Sequence, residues 1–284
     1  MEVENKFLPE ARHQLTFLDP LFDPNSYVGK VVHCLTVAYD YLKAELKVFI
    51  GGSFYGIIPL SELSIYDVEK VNHKFINKFF TNHKLLTAEI IGFDDSTKKF
   101  LLSRKKNMEN ALMYFSTFEG SSKTIFAYKT GATATCAFLD IGAGICGAIP
   151  YSEVSLSYAN PSIYFDGTDY IPIHILFQNV PGKFIVSYKS TVDYQDFKVG
   201  DIVYGKVVRM LEDFSGLFIE LTPNQSGILN TDYGLQMVHC DNKNWFIISD
   251  KNHDFPSRSV QENGKYYFSI KTVKNKNHFK LSLV

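Results

Sequence analysis

The sequence predicts a mostly β protein built from three tandem five-stranded Greek-key barrels that are joined by short connecting helices. Two observations lead to this fold class. Many short runs of β-branched and aromatic residues are separated by Gly, Asn and Asp, as in a series of strands. A pair of sequence blocks also occurs three times in the same order. The repeats are expected over residues 26–115, 116–195 and 196–284, after an N-terminal extension of residues 1–25.

The two blocks define each repeat. The first block follows an apolar run, and the three copies read GIIPLSELS from Gly56, GAIPYSEVS from Gly147 and GILNTDYG from Gly227. The second block closes each repeat, and its copies read FLLSRKK from Phe100, FIVSYK from Phe184 and FKLSL from Phe279. We expect the glycines where a sheet coils sharply or a turn needs a positive φ.

The segment between the blocks varies in length, which costs little stability because loop-closure entropy grows slowly with length. In the first repeat it carries a helix-like apolar stripe formed by Val68, Val71, Phe75, Phe79 and Phe80. A helix that caps the barrel is therefore expected there. In the third repeat the segment is unusually long, over residues 235–264, and it holds the only Trp, Trp245. We expect Trp245 to anchor this connection against the barrel.

The charge is unevenly distributed along a chain whose formal net charge is −1. Residues 26–115 carry 12 basic and 9 acidic side chains, and residues 196–284 carry 11 and 10. The middle repeat has only 4 basic and 6 acidic side chains. Because phosphates are met by a local basic patch rather than by the average charge, the first and third repeats are the better candidates for nucleic-acid binding.

The cysteines and the N-terminal residues argue for a cytoplasmic protein. Cys34, Cys136, Cys146 and Cys240 have no zinc-ligand spacing, so neither a metal nor a cofactor is expected. A disulfide between Cys136 and Cys146 is conceivable across a hairpin, but buried free thiols are the simpler interpretation. The first residues, MEVENKFLPEARHQ, do not form a signal peptide, and no apolar run is long enough for a membrane helix.

Catalytic motifs are missing from the sequence. It contains no phosphate-binding Walker loop, no G-x-S-x-G elbow, no H-E-x-x-H and no D-x-D pair. The eight histidines are scattered. The protein is therefore expected not to be an enzyme.

Together the motifs resemble a known family. The order G-[DK]-x-V-x-G-x-V, G-x-F-[IV]-x-L, G-x-[IL]-P-x-S-E and a closing [IL]-S is similar to the RNA-binding repeats of bacterial ribosomal protein S-one. The clearest copy is GDIVYGKVVRMLEDFSGLFIEL, from Gly200. The resemblance covers residues 26–284 and is greatest to a short three-repeat form. It implies an oligonucleotide/oligosaccharide-binding (OB) fold whose second and third strands bind single-stranded RNA.

The resemblance places the best RNA site in the third repeat. Phe214 and Phe218 fall on the two aromatic positions of the family's binding face, and strand alternation puts Phe218 opposite the aliphatic side of its strand. The further candidates in this repeat are polar or basic: Lys206, Arg209, Asn230, Lys274, Lys276, His278 and Lys280.

The other two repeats depart from this pattern. In the first repeat the aromatic positions hold Ala44 and Lys47, but suitable cations remain, and the candidates are Lys43, Lys47, Lys98, Lys99 and Arg104. The lysines from Lys98 onward fit a solvated turn equally well. The second repeat keeps Phe138 but has Thr135 at the other aromatic position. Repeats with its Ile-Pro motif dock on protein in the ribosomal family, so the first two repeats are candidates for protein contacts.

Three hypotheses for function follow. The leading one is a cytoplasmic protein that binds single-stranded RNA, either mRNA or rRNA, with low sequence specificity and serves translation or mRNA handling. The alternative is a scaffold that docks on the ribosome or another complex and binds little RNA itself. A degenerate relative that has lost RNA binding is the third.

Overall fold

The structure is a computed structural model that describes residues 6–12, 15–16, 18–19, 23–66, 76, 83–211, 215–230, 234–240, 243–249 and 258–284. It contains three closed five-stranded barrels, which confirms the predicted fold class. Each barrel lies inside one of the predicted repeats.

The first barrel consists of β1 (Val31–Asp40), β2 (Glu45–Gly51), β3 (Phe54–Pro59), β4 (Leu85–Asp94) and β5 (Lys99–Ser103). The second consists of β6 (Ile125–Ala132), β7 (Cys136–Asp140), β8 (Cys146–Pro150), β9 (Tyr170–Val180) and β10 (Lys183–Ser187). In both barrels the third strand pairs in parallel with the fifth, and the other strand pairs with an assigned register are antiparallel. This strand order closes the sheet and leaves no free edge.

The third barrel has the same order but carries an insertion. Its strands are β11 (Ile202–Met210), β12 (Gly216–Thr222), β13 (Gln225–Asn230), β17 (Lys265–Asn275) and β18 (His278–Leu283). The long connection forms a three-stranded sheet of β14 (Gly234–Cys240), β15 (Lys243–Ser249) and β16 (Arg258–Gln261). Its buried anchors are Phe246 and Val260, which join the barrel core, whereas Trp245 is half-buried. The expected anchor is thus one residue away, because strand alternation turns Phe246 inward.

Helices are short among the described residues. The longest is α1 (Arg104–Ser116), which follows β5 and begins where the Ser103 hydroxyl accepts the Lys106 N–H at 2.9 Å. Helices α2 (Tyr151–Val154) and α3 (Pro161–Tyr164) each form a single turn. Turns of 3₁₀ helix lie at Glu10–Arg12, Pro24–Tyr27, Leu60–Glu62 and Lys189–Thr191. In the described part of the chain no helix is both long and apolar enough to cross a membrane.

The helix predicted after the first block falls almost entirely outside the described residues, as do Val68, Val71, Phe75, Phe79 and Phe80. Ile76, which is described, is helical and belongs to the core of the first barrel.

The repeated glycine that opens each first block is explained by close packing. Gly56, Gly147 and Gly227 sit on the third strand of their barrels, and none has a positive φ. A Cβ at Gly56 would lie 2.2 Å from Leu102, and one at Gly227 would lie 2.4 Å from Leu281. Glycine is therefore required here because the barrel interior leaves no room for a Cβ. The expectation that a turn needs a positive φ is wrong at these positions.

A bulge recurs on the first strand of every barrel. The register between the first and second strands shifts between Thr36 and Ala38, between Lys129 and Gly131, and between Val207 and Arg209. A bulge adds a residue to one strand and redirects the following side chain. In the third barrel this turns Arg209 outward, beside Phe218.

Packing divides the chain into two units. One comprises Met1–Ala132, Ala137–Ala148 and Gly167–Val186, and the other comprises Thr133–Cys136, Ile149–Asp166 and Ser187–Val284. The second unit thus adds residues 149–166, from the middle repeat, to the third barrel.

Cys34, Cys136 and Cys146 form no disulfide. Cys34 is buried, Cys136 is half-buried and Cys146 is exposed, and the side chain of Cys240 lies outside the described residues. The expectation of buried thiols is therefore correct for Cys34 and wrong for Cys146. Burial raises the pKa of Cys34 to about 12, so its thiol stays protonated.

Candidate nucleic-acid interface

One row of outward side chains crosses four strands of the third barrel. Arg209 on β11 lies opposite Phe218 on β12, Phe218 lies opposite Ile228 on β13, and Ile228 lies opposite Lys280 on β18. We call these four residues the Phe218 row. Their sequence neighbours Leu217, Ile219, Leu229, Phe279 and Leu281 point inward and form the barrel core. The alternation of the strands therefore presents the row on the outer surface.

The row combines an aromatic face with cations at both ends. The guanidinium carbon of Arg209 lies 5.5 Å from the centre of the Phe218 ring. Arg209 is exposed, and Phe218, Ile228 and Lys280 are half-buried. A base stacks on such a ring while its phosphates meet the cations, which is how sequence-tolerant single-strand sites are built. Ile228 was missed in the sequence, although its alternation with buried Leu229 indicates its position.

A second row, the Glu220 row, runs beside the first. It contains Lys206, Glu220, Ser226 and His278, which lie opposite one another in this order. Its centre is covered, since Glu220 is only 8% exposed and Ser226 only 2%. The Ser226 hydroxyl lies 3.1 Å from Nδ1 of His278, and His278 itself is exposed.

The cover comes from the segment that precedes the third barrel. The Ser157 hydroxyl donates a hydrogen bond to Glu220, and the Leu156 N–H donates to the carbonyl of Pro223 at 2.8 Å. The ring of Tyr164 lies 6.0 Å from Nζ of Lys206. Burial raises the pKa of Tyr164, and the nearby Glu220 carboxylate adds to this increase. Lys206 is therefore half-buried beside Tyr164, whereas Arg209 is open.

The remaining candidates of the third repeat lie around these rows. Asn230 is exposed at the end of β13, two residues beyond Ile228. Lys274 and Lys276 are exposed near the turn between β17 and β18, and Nζ of Lys276 lies 4.4 Å from the ring centre of Tyr194. Phe214 lies outside the described residues.

The first barrel has different side chains at the positions that correspond to the Phe218 row. Ala38, Lys47, Ile57 and Leu101 lie there, as the register and the shared bulge show. Lys47 thus occupies the place of Phe218, and it pairs with Asp40 at 3.2 Å. This contact is the main reason that the pKa of Asp40 is below its ordinary value. A phosphate at Lys47 would have to compete with that carboxylate.

The other cations of the first barrel are distributed around its turns. Lys43 is exposed between β1 and β2, and its N–H donates to the Asp40 carboxylate at 3.3 Å. Lys98 is exposed in the turn before β5 and pairs with Asp95 at 3.1 Å. Lys99 lies half-buried on β5, opposite Asp94. These lysines remain accessible, and of the three only Lys98 has an ion pair described in the structure.

The structure corrects the prediction made for Arg104. Its side chain is buried at the start of α1, and its guanidinium forms two bonds with the carboxylate of Glu10, at 2.7 and 3.0 Å. It also donates to the carbonyl of Leu63 at 3.0 Å. Burial acts to lower the pKa of Arg104, but Glu10 outweighs it and the pKa is raised. The predicted RNA contact is wrong because this cation is used inside the fold.

The first barrel carries an aromatic pair that was not among the sites predicted from the sequence. Phe49 and Tyr55 lie opposite each other, with ring centres 5.3 Å apart, and Tyr55 is 50% exposed. They occupy the positions of the Glu220 row, whose fifth-strand position is Lys99. The alternation of β2, with Leu46, Val48 and Ile50 buried, indicates that Phe49 points outward.

At the corresponding positions the middle barrel has neither an aromatic ring beside a cation nor a pair of facing aromatic rings. At the positions of the Phe218 row it presents Gly131 opposite Phe138, and Ala148 opposite Ile185. Phe138 is 47% exposed but has no cation at the neighbouring row positions. Lys183 is exposed, at the start of β10.

The described residues contain no group of three or more His, Cys, Asp or Glu that could hold a metal ion.

Comparison with solved structures finds several distant likenesses, including two with the following values. The solution structure of GSP13 from Bacillus subtilis aligns at 19% identity and a TM-score of 0.20, over 31% of this chain and 56% of GSP13. The crystal structure of a multidomain protein with nucleic acid binding domains from Streptococcus pneumoniae aligns at 10% identity and a TM-score of 0.24, over 92% of this chain and 75% of that one.

At these values neither likeness indicates a function for this chain. No family model and no curated protein matches it. The resemblance to the ribosomal S-one repeats therefore remains a prediction from the residues.

Proposed function

We propose that the third barrel binds single-stranded nucleic acid through the Phe218 row, with RNA as its natural ligand and with low sequence specificity. The observation that carries this proposal is the position of Arg209, 5.5 Å from an outward Phe218 ring that is followed by Lys280 in the same row. Stacking accepts any base, because every base has a flat aromatic face.

Low specificity follows from the types of side chain in the row. Base edges are distinguished by paired donors and acceptors, such as those of Asn and Gln. The Phe218 row contains an aromatic, an aliphatic and two basic side chains, and Asn230 is the nearest amide among the candidates. In this proposal Arg209 and Lys280 contact phosphates and Phe218 contacts base faces, so few side chains remain to distinguish base edges.

The test is a binding titration with a single-stranded oligouridine of about twelve nucleotides and its DNA counterpart. We expect Phe218→Ala to weaken binding by about tenfold, because stacking contributes roughly 1–3 kcal/mol per base. Phe138→Ala is the matched control, since it removes an exposed Phe at the same row position of the middle barrel. Equal affinities of wild type and Phe218→Ala, with both folded, would contradict the assignment. Tighter binding of the DNA strand would contradict the choice of RNA.

The physiological role that fits this activity is a cytoplasmic one in translation or mRNA handling, through binding rather than catalysis. A second function, docking on protein, is favoured for the middle barrel. Its outward Phe126, Phe138 and Phe177 are each about half exposed, and the repeat has few cations. Cosedimentation with ribosomes after nuclease removal of free mRNA tests this function. It should persist in Phe218→Ala and decrease in Phe138→Ala.

A further inference from the structure

We infer that the bound strand continues from the Phe218 row along β11 to a second stacking site formed by Tyr204 and Tyr267. This inference rests on the proposed function and extends the same site to another face of the third barrel.

The first observation is the exposed tyrosine pair itself. Tyr204 on β11 lies directly opposite Tyr267 on β17, with ring centres 4.9 Å apart. Tyr204 is 54% exposed and Tyr267 is 61% exposed. An aromatic pair that stabilises only the barrel would be expected to bury most of its area, whereas these rings leave a broad aromatic surface in solvent.

The second observation is the path along β11. The side chains of Val203 and Val207 point into the barrel, so those of Tyr204 and Lys206, which alternate with them, point outward. The bulge after Val207 then turns Arg209 outward as well. At about 3.3 Å per residue, Tyr204 lies roughly 16 Å from Arg209 along the same strand. Two cations of β11, Lys206 and Arg209, therefore lie on the path from the tyrosine pair to Phe218.

The third observation is an unfavourable pair of charges between the two sites. Lys206 lies directly opposite Lys265 on β17, where like charges destabilise a sheet, while Glu220 faces Lys206 from β12 on its other side. In the described part of the chain neither lysine forms an ion pair, and Lys265 is exposed. A phosphate held between them would compensate this repulsion. A nucleic-acid strand supplies a phosphate next to each stacked base, which a purely apolar protein surface would not.

The experiment compares two lengths of single-stranded oligouridine on the full chain, one of about four nucleotides and one of about twelve. Wild type should bind the longer strand more tightly. The double variant Tyr204→Ala/Tyr267→Ala should lose about tenfold in affinity for the longer strand and keep its affinity for the short one. The matched control is Tyr151→Ala/Tyr158→Ala, which removes another exposed, tilted tyrosine pair with ring centres 5.4 Å apart. This control should change neither affinity.

The outcomes separate this inference from the proposed function. If both lengths bind the double variant as tightly as wild type, the second stacking site does not exist and the tyrosine face is left to a protein partner. If wild type binds neither length at low salt, the proposed function itself fails. Should the double variant unfold, Lys265→Gln replaces it. That exposed substitution should lower the affinity for the longer strand alone by about threefold.

Discussion

The first and third barrels have the same strand order and the same bulge, yet they are covered on different faces. In the first barrel the outer side of β4 is covered by α1, where the Asn107 amide donates to Thr87 at 2.9 Å. The equivalent face of the third barrel carries the exposed Tyr204 and Tyr267. Conversely, the Glu220 row is covered in the third barrel, whereas its counterpart with Tyr55 is open in the first. The segments that flank a barrel, rather than its strand topology, decide which surface can bind.

The two arginines show this difference most sharply. Arg104 directly follows β5, and Arg209 lies next to the last residue of β11. The sequence predicts that both contact RNA. One is buried against Glu10 and the other lies open beside Phe218. Substitutions at these positions should therefore affect different properties of the protein.

The largest expected effect is on stability. Arg104→Met should destabilise the unit that contains the first barrel by about 3–5 kcal/mol, because it leaves the largely buried Glu10 carboxylate without its partner. Urea unfolding followed by far-UV circular dichroism measures this loss. The fluorescence of Trp245, which lies in the other unit, should shift less. Arg209→Met is the control and should change stability by no more than about 0.5 kcal/mol. A similar loss in both variants would contradict the distinction.

The next effect is a gain of function in the first barrel. On the Phe218→Ala background, Ala38→Arg with Lys47→Phe recreates the pair of the third barrel at the same register. We expect this graft to recover about threefold to tenfold in affinity for single-stranded RNA. The control is Lys47→Phe alone, which supplies the ring without the adjacent cation. If the graft recovers nothing while remaining folded, the row needs features beyond its side chains.

A smaller effect is expected at the aromatic pair of the first barrel. Tyr55→Ala should weaken binding of a twelve-nucleotide RNA by about twofold to threefold, less than Phe218→Ala, because Lys47 beside it is partly neutralised by Asp40. Parallel titrations of the two variants give the ratio. A larger loss for Tyr55→Ala would make the first barrel the principal site.

The smallest effect concerns salt dependence. Lys280→Gln removes one cation from the Phe218 row, so the slope of log affinity against log salt should become shallower by about 0.7. Titrations across a range of salt concentrations measure the slope. Lys183→Gln, an exposed lysine of the middle barrel, should leave it unchanged. An identical slope for Lys280→Gln and wild type would place Lys280 away from the phosphates.

The sequence predicted side-chain positions that depend on local strand geometry better than contacts between residues that are far apart in the chain. Strand alternation was sufficient to place Phe218 outside the barrel, because the side-chain period of a strand is fixed. The burial of Arg104 depends on Glu10, which is 94 positions away, and no local pattern indicates that partner. The cover over Glu220 likewise comes from Ser157, which belongs to a different repeat. Contacts between distant segments were therefore what the sequence left open.

The same cover has a practical consequence for dissecting the chain. A fragment that began at residue 196, the predicted start of the third repeat, would lack Leu156, Ser157 and Tyr164. It would expose the carboxylate of Glu220 beside Lys206 and place a new negative charge next to the proposed binding track. Such a fragment would underestimate the RNA affinity of the third barrel. A fragment for isolated study should therefore keep the whole second barrel and begin at residue 116, because Ile149–Asp166 packs in the same unit as the third barrel.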